Sequence, residues 1–490
     1  MAGNMSRRDF IRLTSAGAAG LMIPGCQTAL KNAAISAGKG NVSKPNVIVI
    51  VADDLGYCDT ELYGCDTIPT PNLRRISDGG VTFTNGYVTN PVCSPSRAGL
   101  LTGCYQQRFG FEFNTGPRTR DWRQQLGIPV GETTLADAMG QAGYTTGMVG
   151  KWHLGTRPQF HPVNRGFDEF FGFTAGANDY VDPTRSDVRE ITGRGAGRKR
   201  KRWEGRVGRP IMRGTAVVEE GDYLTDAFSR EAVSFIRQHR NDPFFLYVPY
   251  NAPHTPLQTT LKYYDRFPHI KEEQKRIYAA MVSAMDDGIG RILDALEANG
   301  VEENTMVFFI SDNGCALYTQ ACSNDPLRFG KLTQFEGGVR VPFCVKWPGH
   351  IPGGKIEDRP VSSLDIFATA LAAAGGKMPT DRPRDGVDLI PYLNGATSGR
   401  PHEALFWRNG PNWAVRKGDW KLFAAGEHYW LYDLSDDIAE RENMVKKRPE
   451  LVKEIIGLHD QWNRQMIDPI WPARGIHPAT VDGVNFKWHI

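Results

Sequence analysis

Asn46-Val47-Ile48-Val49-Ile50-Val51-Ala52 runs straight into Asp53-Asp54. The run is short, rich in β-branched residues and free of polar alternation, the pattern of a strand buried on both faces. Phe244-Phe245-Leu246-Tyr247-Val248 and Met306-Val307-Phe308-Phe309-Ile310 read the same way. Helical periodicity fills residues 133–142, 223–240 and 277–299. Strands alternating with helices predict an α/β domain with a mostly parallel central sheet flanked by helices. Such sheets bind ligands beyond the carboxyl ends of their strands. Asp53-Asp54 and Asp312-Asn313 each follow a strand-like run directly, so both are expected at a site. Taken alone, an Asp-Asp pair reads as a helix N-cap and Asp-Asn-Gly as a tight turn.

The 490 residues are 40% hydrophobic and 23% charged, with a formal net charge of +3. That length allows a large core and a second domain. No recognisable nucleic-acid module is present, so no nucleic-acid partner is expected. Residues 45–377 read as the main α/β domain, with 364–375 as its last helix. Residues 378–400, rich in Pro, Gly and Asp, read as a linker. Strand candidates at 404–407, 413–416, 420–423 and 429–432 precede a helix over 449–465. They predict a smaller C-terminal antiparallel sheet plus helix over 401–490.

Ser6-Arg7-Arg8-Asp9-Phe10-Ile11-Arg12 precedes a short run of small and apolar residues, Leu13 to Ile23. This is a twin-arginine export signal, too short to span a bilayer as a stable helix. Ile23-Pro24-Gly25-Cys26 makes Cys26 a candidate for lipoprotein acylation, with proline departing from the usual pattern. Residues 1–44 are therefore expected to be an export signal and tether handled by the Tat translocase. The destination is the periplasm or cell envelope, with membrane contact only through lipid at Cys26. Cys58/Cys65 and Cys315/Cys322 are close in sequence, each pair following an acidic block. Disulfides are permitted outside the cytoplasm, and buried free thiols fit the sequence equally well.

Cys93-Ser94-Pro95-Ser96-Arg97 continues as Ala98-Gly99-Leu100-Leu101-Thr102-Gly103. A cysteine followed in this way by proline and arginine is the signal read by formylglycine-generating enzymes. They convert the thiol to an aldehyde whose hydrate is a nucleophile. Around it stand Val51-Ala52-Asp53-Asp54-Leu55-Gly56, Gly150-Lys151-Trp152-His153-Leu154-Gly155 and Asn251-Ala252-Pro253-His254-Thr255-Pro256. Ser311-Asp312-Asn313-Gly314 follows, then Gly330-Lys331 ahead of Phe335-Glu336-Gly337-Gly338-Val339-Arg340-Val341-Pro342. In content and order these blocks resemble the type I, formylglycine-dependent sulfatases of the alkaline phosphatase-like superfamily. The resemblance runs from about Pro45 to about Asn443. Leu431-Tyr432-Asp433-Leu434 with Glu440, Glu442 and Asn443 is similar to the family's C-terminal segment, although Ile438 stands where proline is common. The resemblance implies an alkaline phosphatase-like fold, a catalytic role for 45–377 and hydrolysis of sulfuric esters.

Sulfate ester hydrolysis needs an in-line nucleophile, charge neutralisation on the sulfuryl oxygens and a proton for the departing alkoxide. Asp53, Asp54, Asp312 and Asn313 offer hard oxygen ligands, which suit Ca²⁺ rather than zinc. The resemblance implies the same four, joined by modified Cys93. It also implies that Cys93 becomes formylglycine (3-oxoalanine) and acts as nucleophile, with Asp312 able to take its proton. Arg97, one helical turn on, would order these groups. Lys151 and His153 are two apart, and on an extended segment they would point the same way. Lys151 would then grip a sulfuryl oxygen, while His153 deprotonates the second hydroxyl, releasing sulfate and restoring the aldehyde. His254, between prolines in a loop after a strand, would hold a sulfate oxygen with Lys331 and protonate the leaving group. Gly337-Gly338 are expected to allow close backbone approach, and Arg340 to be structural.

Asn178-Asp179-Tyr180 lies where family members place substrate contacts. The basic stretch 194–213, with Arg200 and Arg202, reads as a solvated loop or as a subsite for a polyanionic chain. Tyr105-Gln106-Gln107-Arg108-Phe109-Gly110-Phe111-Glu112 resembles sulfatases acting on algal galactans such as carrageenan. The expected activity is removal of O-sulfate from a sulfated oligo- or polysaccharide, a marine algal one such as carrageenan. The alternatives are a glycosaminoglycan-type sulfatase and a formylglycine-dependent phosphodiesterase or phosphonate monoester hydrolase. A binding protein that had lost catalysis should lack a nucleophile or ligand, and none is missing.

Overall fold

The computed structural model describes residues 44–115, 126–191, 206, 209–473 and 475–489. The expected export signal with Cys26, and Arg200 and Arg202 of the basic stretch, lie outside the described residues.

Asn46–Ala52 is buried along its whole length. It pairs in parallel with Thr305–Ser311 on one side and Phe244–Pro249 on the other. Thr145–Lys151 and then Glu169–Phe173 continue the parallel array. Shorter strands, most of them antiparallel, extend both edges to ten. The order is Lys355–Glu357, Gly80–Phe83, Phe343–Lys346, Thr305–Ser311, Asn46–Ala52, Phe244–Pro249, Thr145–Lys151, Glu169–Phe173, Ile211–Arg213 and Ala216–Val218. Alternate side chains of a strand face opposite sides, and the central strand divides its residues accordingly. Val47, Val49 and Val51 enter a core with Leu100 of helix Cys93–Thr102, Leu135 of Leu135–Gln141 and Phe367 of Asp365–Ala373. Ile48 and Ile50 enter the opposite core with Phe228 of Leu224–His239 and Ile289 of Glu273–Ala298. This is the expected α/β architecture, with helices on both faces of a mostly parallel sheet.

Ala404–Asn409, Asn412–Lys417, Trp420–Ala425 and His428–Asp433 form an antiparallel sheet. One face packs on helix Pro449–Asn463 through Val415, Leu422, Leu431 and Ile455. The other face, through Trp407, Ala414 and Phe423, joins the same core as Val47. Residues 378–400 are held down: Arg108 pairs with Asp385 at 2.6 Å, and Leu389 and Leu393 are buried. Tyr105–Glu112 is also internal. Glu112 pairs with Arg408 at 2.7 Å and Gln107 donates to the Arg408 carbonyl at 3.0 Å, so this stretch joins the two sheets. A hairpin, Ile476–Val481 with Val484–His489, was not expected from sequence. Its turn is Asp482-Gly483, with φ of +50° and +82°, the paired positive φ angles of a two-residue hairpin loop. Among the described residues no helix is long and apolar enough to cross a membrane.

Candidate active site

The carboxyl ends of four adjacent parallel strands deliver the site. Ala52 is followed by Asp53-Asp54 and Ser311 by Asp312-Asn313, Lys151 closes its own strand, and the Pro249 strand leads to His254. Cys93 comes from another direction, as the first residue of helix Cys93–Thr102. Its Sγ lies 3.4 Å from Asp53 Oδ1, 3.7 Å from Asp54 Oδ1 and 3.2 Å from Lys331 Nζ. All these groups are buried apart from His254, which is partly exposed.

Ion pairs knit the cluster. Lys151 Nζ lies 2.6 Å from Asp53 Oδ2, and Lys331 Nζ contacts both oxygens of Asp54 at 2.6 and 2.7 Å. Arg97 holds Asp312 Oδ2 through Nε at 2.8 Å and a second nitrogen at 2.7 Å. Burial alone would raise the Asp54 carboxyl, but Lys331 and His254 hold it well below the usual range. Burial and the Asp53 charge push Asp312 up to about 6. Burial and Asp312 also raise the Cys93 thiol far above its ordinary value, so an unmodified Cys93 is a neutral, poor nucleophile here.

The two histidines differ. His153 Nε2 lies 3.3 Å from the Thr115 carbonyl, while buried Nδ1 has no hydrogen-bond partner among the described residues. A carbonyl can only accept, so the proton sits on Nε2 and Nδ1 keeps a lone pair. Burial, with Lys151 and Arg97, pushes the His153 pKa well down. His254 Nδ1 donates to the Thr255 carbonyl at 2.6 Å and Nε2 faces Asp54 Oδ2 at 3.7 Å. Burial and Lys331 lower His254 to about 3. Both rings are therefore neutral at neutral pH.

The extended geometry expected from Lys151 to His153 is not what the chain adopts. The strand ends at Lys151, and His153 has φ of +60°. Asp54, Phe329 and Leu332 are also non-glycine residues at positive φ, at 64°, 59° and 85°. Each such residue costs roughly 1–3 kcal/mol, and strain of this kind collects at functional sites. Lys331, between two of them, is seated by tight packing. A Cβ on Gly337 would meet the Phe329 carbonyl at 2.2 Å, and one on Gly338 the Thr333 carbonyl at 1.9 Å. Arg340 is spent on the Thr84 carbonyl and Glu336.

Asn178 is buried and its Nδ2 donates to the Arg209 carbonyl at 2.8 Å, while Arg206 donates to the Asp179 carbonyl at 3.2 Å. That block therefore anchors the described end of the basic stretch. Two residues near the site were read from sequence only as members of their blocks, with no role of their own. Tyr180 donates from its hydroxyl to the carbonyls of Asn251 and His254, fixing the His254 loop. Asn251 is buried with neither end of its amide hydrogen-bonded among the described residues. The signal for Asn251 was its place in the block before His254. Tyr180 gave none beyond an aromatic beside Asn178-Asp179. Cys315–Cys322 is a disulfide, whereas Cys58 and Cys65 are free thiols.

A nucleophile-bearing helix start set among carboxylates and cations, beyond the carboxyl ends of a mostly parallel sheet, is the arrangement of an alkaline phosphatase-like hydrolase. Residues 45–376 match the Sulfatase family, and residues 328–466 match N-sulphoglucosamine sulphohydrolase, C-terminal. The chain belongs to the Sulfatase family and is a sulfuric ester hydrolase. It is 38% identical to N-acetylgalactosamine-6-sulfatase of Homo sapiens over 403 residues, 80% of this chain and 73% of that protein. It is 33% identical to Arylsulfatase D of Homo sapiens over 431 residues, 75% of this chain and 71% of that protein. The crystal structure of Ps i-CgsB in complex with k-i-k-neocarrahexaose superposes with a TM-score of 0.79 at 35% identity, covering 88% of this chain and 95% of that one.

Proposed function

We propose that this enzyme removes O-sulfate from a sulfated carbohydrate, with carrageenan-type oligosaccharides as substrate, using formylglycine made from Cys93 and a Ca²⁺ ion. The observation that carries the reading is Cys93 Sγ at the start of its helix, 3.4 and 3.7 Å from two carboxylates and 3.2 Å from a lysine. The residues present fit a hard cation. Asp53, Asp54 and Asp312 supply carboxylate oxygens, and Asn313 Oδ1 is buried without a hydrogen-bond partner among the described residues. These four and modified Cys93 would hold the ion. When present, the hydrated aldehyde supplies the nucleophile and the cation supplies charge neutralisation and a lowered pKa for that nucleophile.

The chain's own residues do the rest. Lys151 and Lys331, buried and fixed on Asp53 and Asp54, place positive charge where sulfuryl oxygens must sit. Asp312, whose orientation Arg97 holds, would accept the proton of the nucleophile. His153 Nδ1, with its lone pair free of the backbone, would take the proton whose loss releases sulfate. His254 Nε2 would carry the proton to the departing sugar oxygen. Burial and then Lys331 lower His254; an anionic sulfate beside Lys331 would offset the second of these and so favour that protonation. The carrageenan reading draws on the Ps i-CgsB complex. The relatives named for N-acetylgalactosamine-6-sulfate favour a glycosaminoglycan-type substrate as the second reading. We extend the proposal to export through the twin-arginine signal to the periplasm or cell envelope, with Cys26 as lipid attachment site, the basic stretch with Arg200 and Arg202 as a polyanion subsite, and Asn178 and Asp179 as substrate contacts.

The test is desulfation of a panel of defined sulfated oligosaccharides by enzyme co-expressed with a formylglycine-generating enzyme, before and after chelation. Sulfate release from carrageenan oligosaccharides, abolished by chelation and restored by Ca²⁺, is expected. Release confined to N-acetylgalactosamine-6-sulfate substrates would move the assignment to the second reading. Full turnover after exhaustive chelation would refute the metal.

A further inference from the structure

Directly after Asp312-Asn313-Gly314, the Cys315–Cys322 disulfide closes a short loop. Its base is tied to the site. The Cys315 carbonyl accepts from the Lys331 backbone N–H at 3.0 Å, and Asn324 Oδ1 accepts from Cys315 N–H at 3.1 Å. The following Ser323 N–H donates to Asp59 Oδ1 at 2.9 Å. The middle of the loop is a single tight turn, Leu317–Thr319, closed by Gln320 at φ +56°.

That turn exposes what most of the fold hides. Leu317 is 42% and Tyr318 39% exposed. Leu317 lies against the Lys331 segment. A Cβ added to Gly330 would stand 3.2 Å from Leu317 Cγ. Tyr318 follows Leu317 in the same turn, so part of its ring surface stays open beside that contact.

A pyranose ring presents an apolar C–H face and a hydroxyl edge. An aromatic ring with a polar tip matches both, and an adjacent aliphatic side chain extends the apolar area. A loop stapled at its base loses little conformational freedom on binding, so less of the contact energy goes into ordering it. We propose that Leu317 and Tyr318, presented by the Cys315–Cys322 loop, form the wall that binds the sugar ring carrying the scissile sulfate, and so select which sulfated sugars are accepted. This rests on the carbohydrate reading above and adds the residues that would recognise the sugar.

The test compares wild type with Tyr318→Phe, Tyr318→Ala and Leu317→Ala/Tyr318→Ala, each as full-length matured enzyme whose melting temperature is checked. Three quantities are measured: KM and kcat on a sulfated oligosaccharide that wild type turns over, and inhibition by inorganic sulfate, which fills only the sulfate position. In the double variant KM should rise about tenfold, corresponding to about 1.4 kcal/mol, with kcat little changed. Inorganic sulfate should inhibit all forms equally, and Tyr318→Phe should fall between wild type and Tyr318→Ala. An unchanged KM in the double variant would overturn the wall. So would a parallel loss of sulfate inhibition, since the loop would then act by seating Lys331. Wild type that cleaves aryl sulfate but no sulfated carbohydrate would sink the carbohydrate reading and the wall with it. Wild type active on carbohydrate with unaffected variants would sink the wall alone.

Discussion

The segment from Gly330 to Arg340 contributes to two clusters of buried charge that are built to opposite ends. Lys331 belongs to the first, with Asp53, Asp54, Cys93, Arg97, Lys151 and Asp312. Glu336 and Arg340 belong to the second, with Lys421, Glu440, Arg416 and Tyr87. In the second, opposite charges answer one another. Lys421 lies 2.8 Å from Glu336 and 3.1 Å from Glu440, Glu336 takes the Tyr87 hydroxyl at 2.6 Å, and Glu440 takes the Glu336 backbone N–H at 2.7 Å. Arg416 reaches the same Tyr87 hydroxyl and Asn85 from the C-terminal sheet. This cluster joins two sheets. In the first, Asn313 Oδ1 and His153 Nδ1 are buried without hydrogen-bond partners among the described residues, and four nearby non-glycine residues hold positive φ, whereas in the second only Glu440 does either, at φ +51° and with Oε1 facing the Lys421 charge. Buried polar atoms left unpaired are costly. The contrast is one of degree: the joint spends nearly all its polar atoms on holding sheets together, while the site leaves several open for what it binds.

The largest expected effect lies on activity. Cys93→Ala should lower turnover by more than about 10³-fold, because the covalent nucleophile is lost. Its melting temperature should stay close to wild type, since the buried thiol is only a partner of charges already paired elsewhere. Lys421→Ala should do the reverse. It leaves Glu336 and Glu440 buried without their shared cation, which costs about 3–5 kcal/mol. Denaturant unfolding should show that loss, while kcat per folded molecule is kept. A Lys421 variant with normal stability and no activity would erase the distinction between the clusters.

Within the site, His254→Ala should cost about 10²-fold or more on sugar sulfates, whose alkoxide needs a proton, and much less on nitrophenyl sulfate. Equal losses on both substrates would remove the proton-donor role. The smallest effect belongs to the joint. Burial and then the Glu336 charge push Glu440 up to about 7 against Lys421. The native state therefore keeps a proton that the unfolded chain releases near pH 4.5. Stability from this group falls as pH rises from about 4.5 to about 7, then levels off. Glu440→Gln should flatten the melting-temperature profile across that window. An unchanged slope would show that Glu440 does not titrate there.

The core was legible because it obeys local rules. The apolar runs at 46–52, 244–248 and 306–310 each became a central strand, and Asp53-Asp54 and Asp312-Asn313 stand at the carboxyl ends of two of them. The charged blocks converge because parallel strands bring distant segments to one edge of a sheet. What was not legible depends on tertiary partners. Nothing local says that the Tyr180 hydroxyl reaches two carbonyls of the 251–254 loop, or that His153 turns left-handed. The Tyr105–Glu112 stretch, read as a resemblance to sulfatases acting on algal galactans, is held inside the fold by Arg408 and the C-terminal sheet, which nothing local foretells. The Asp482-Gly483 turn was a readable hairpin signal that the reading passed over.

The most direct test is peptide mass spectrometry across Cys93 in enzyme of known specific activity. Cys93 is buried among Asp53, Asp54 and Lys331 with its thiol held neutral, so an unmodified side chain is a poor nucleophile in that position. The fraction of peptide carrying the aldehyde should rise in proportion to turnover across preparations made with and without a formylglycine-generating enzyme. Fully active enzyme in which Cys93 remains a thiol would contradict the mechanism proposed for this site.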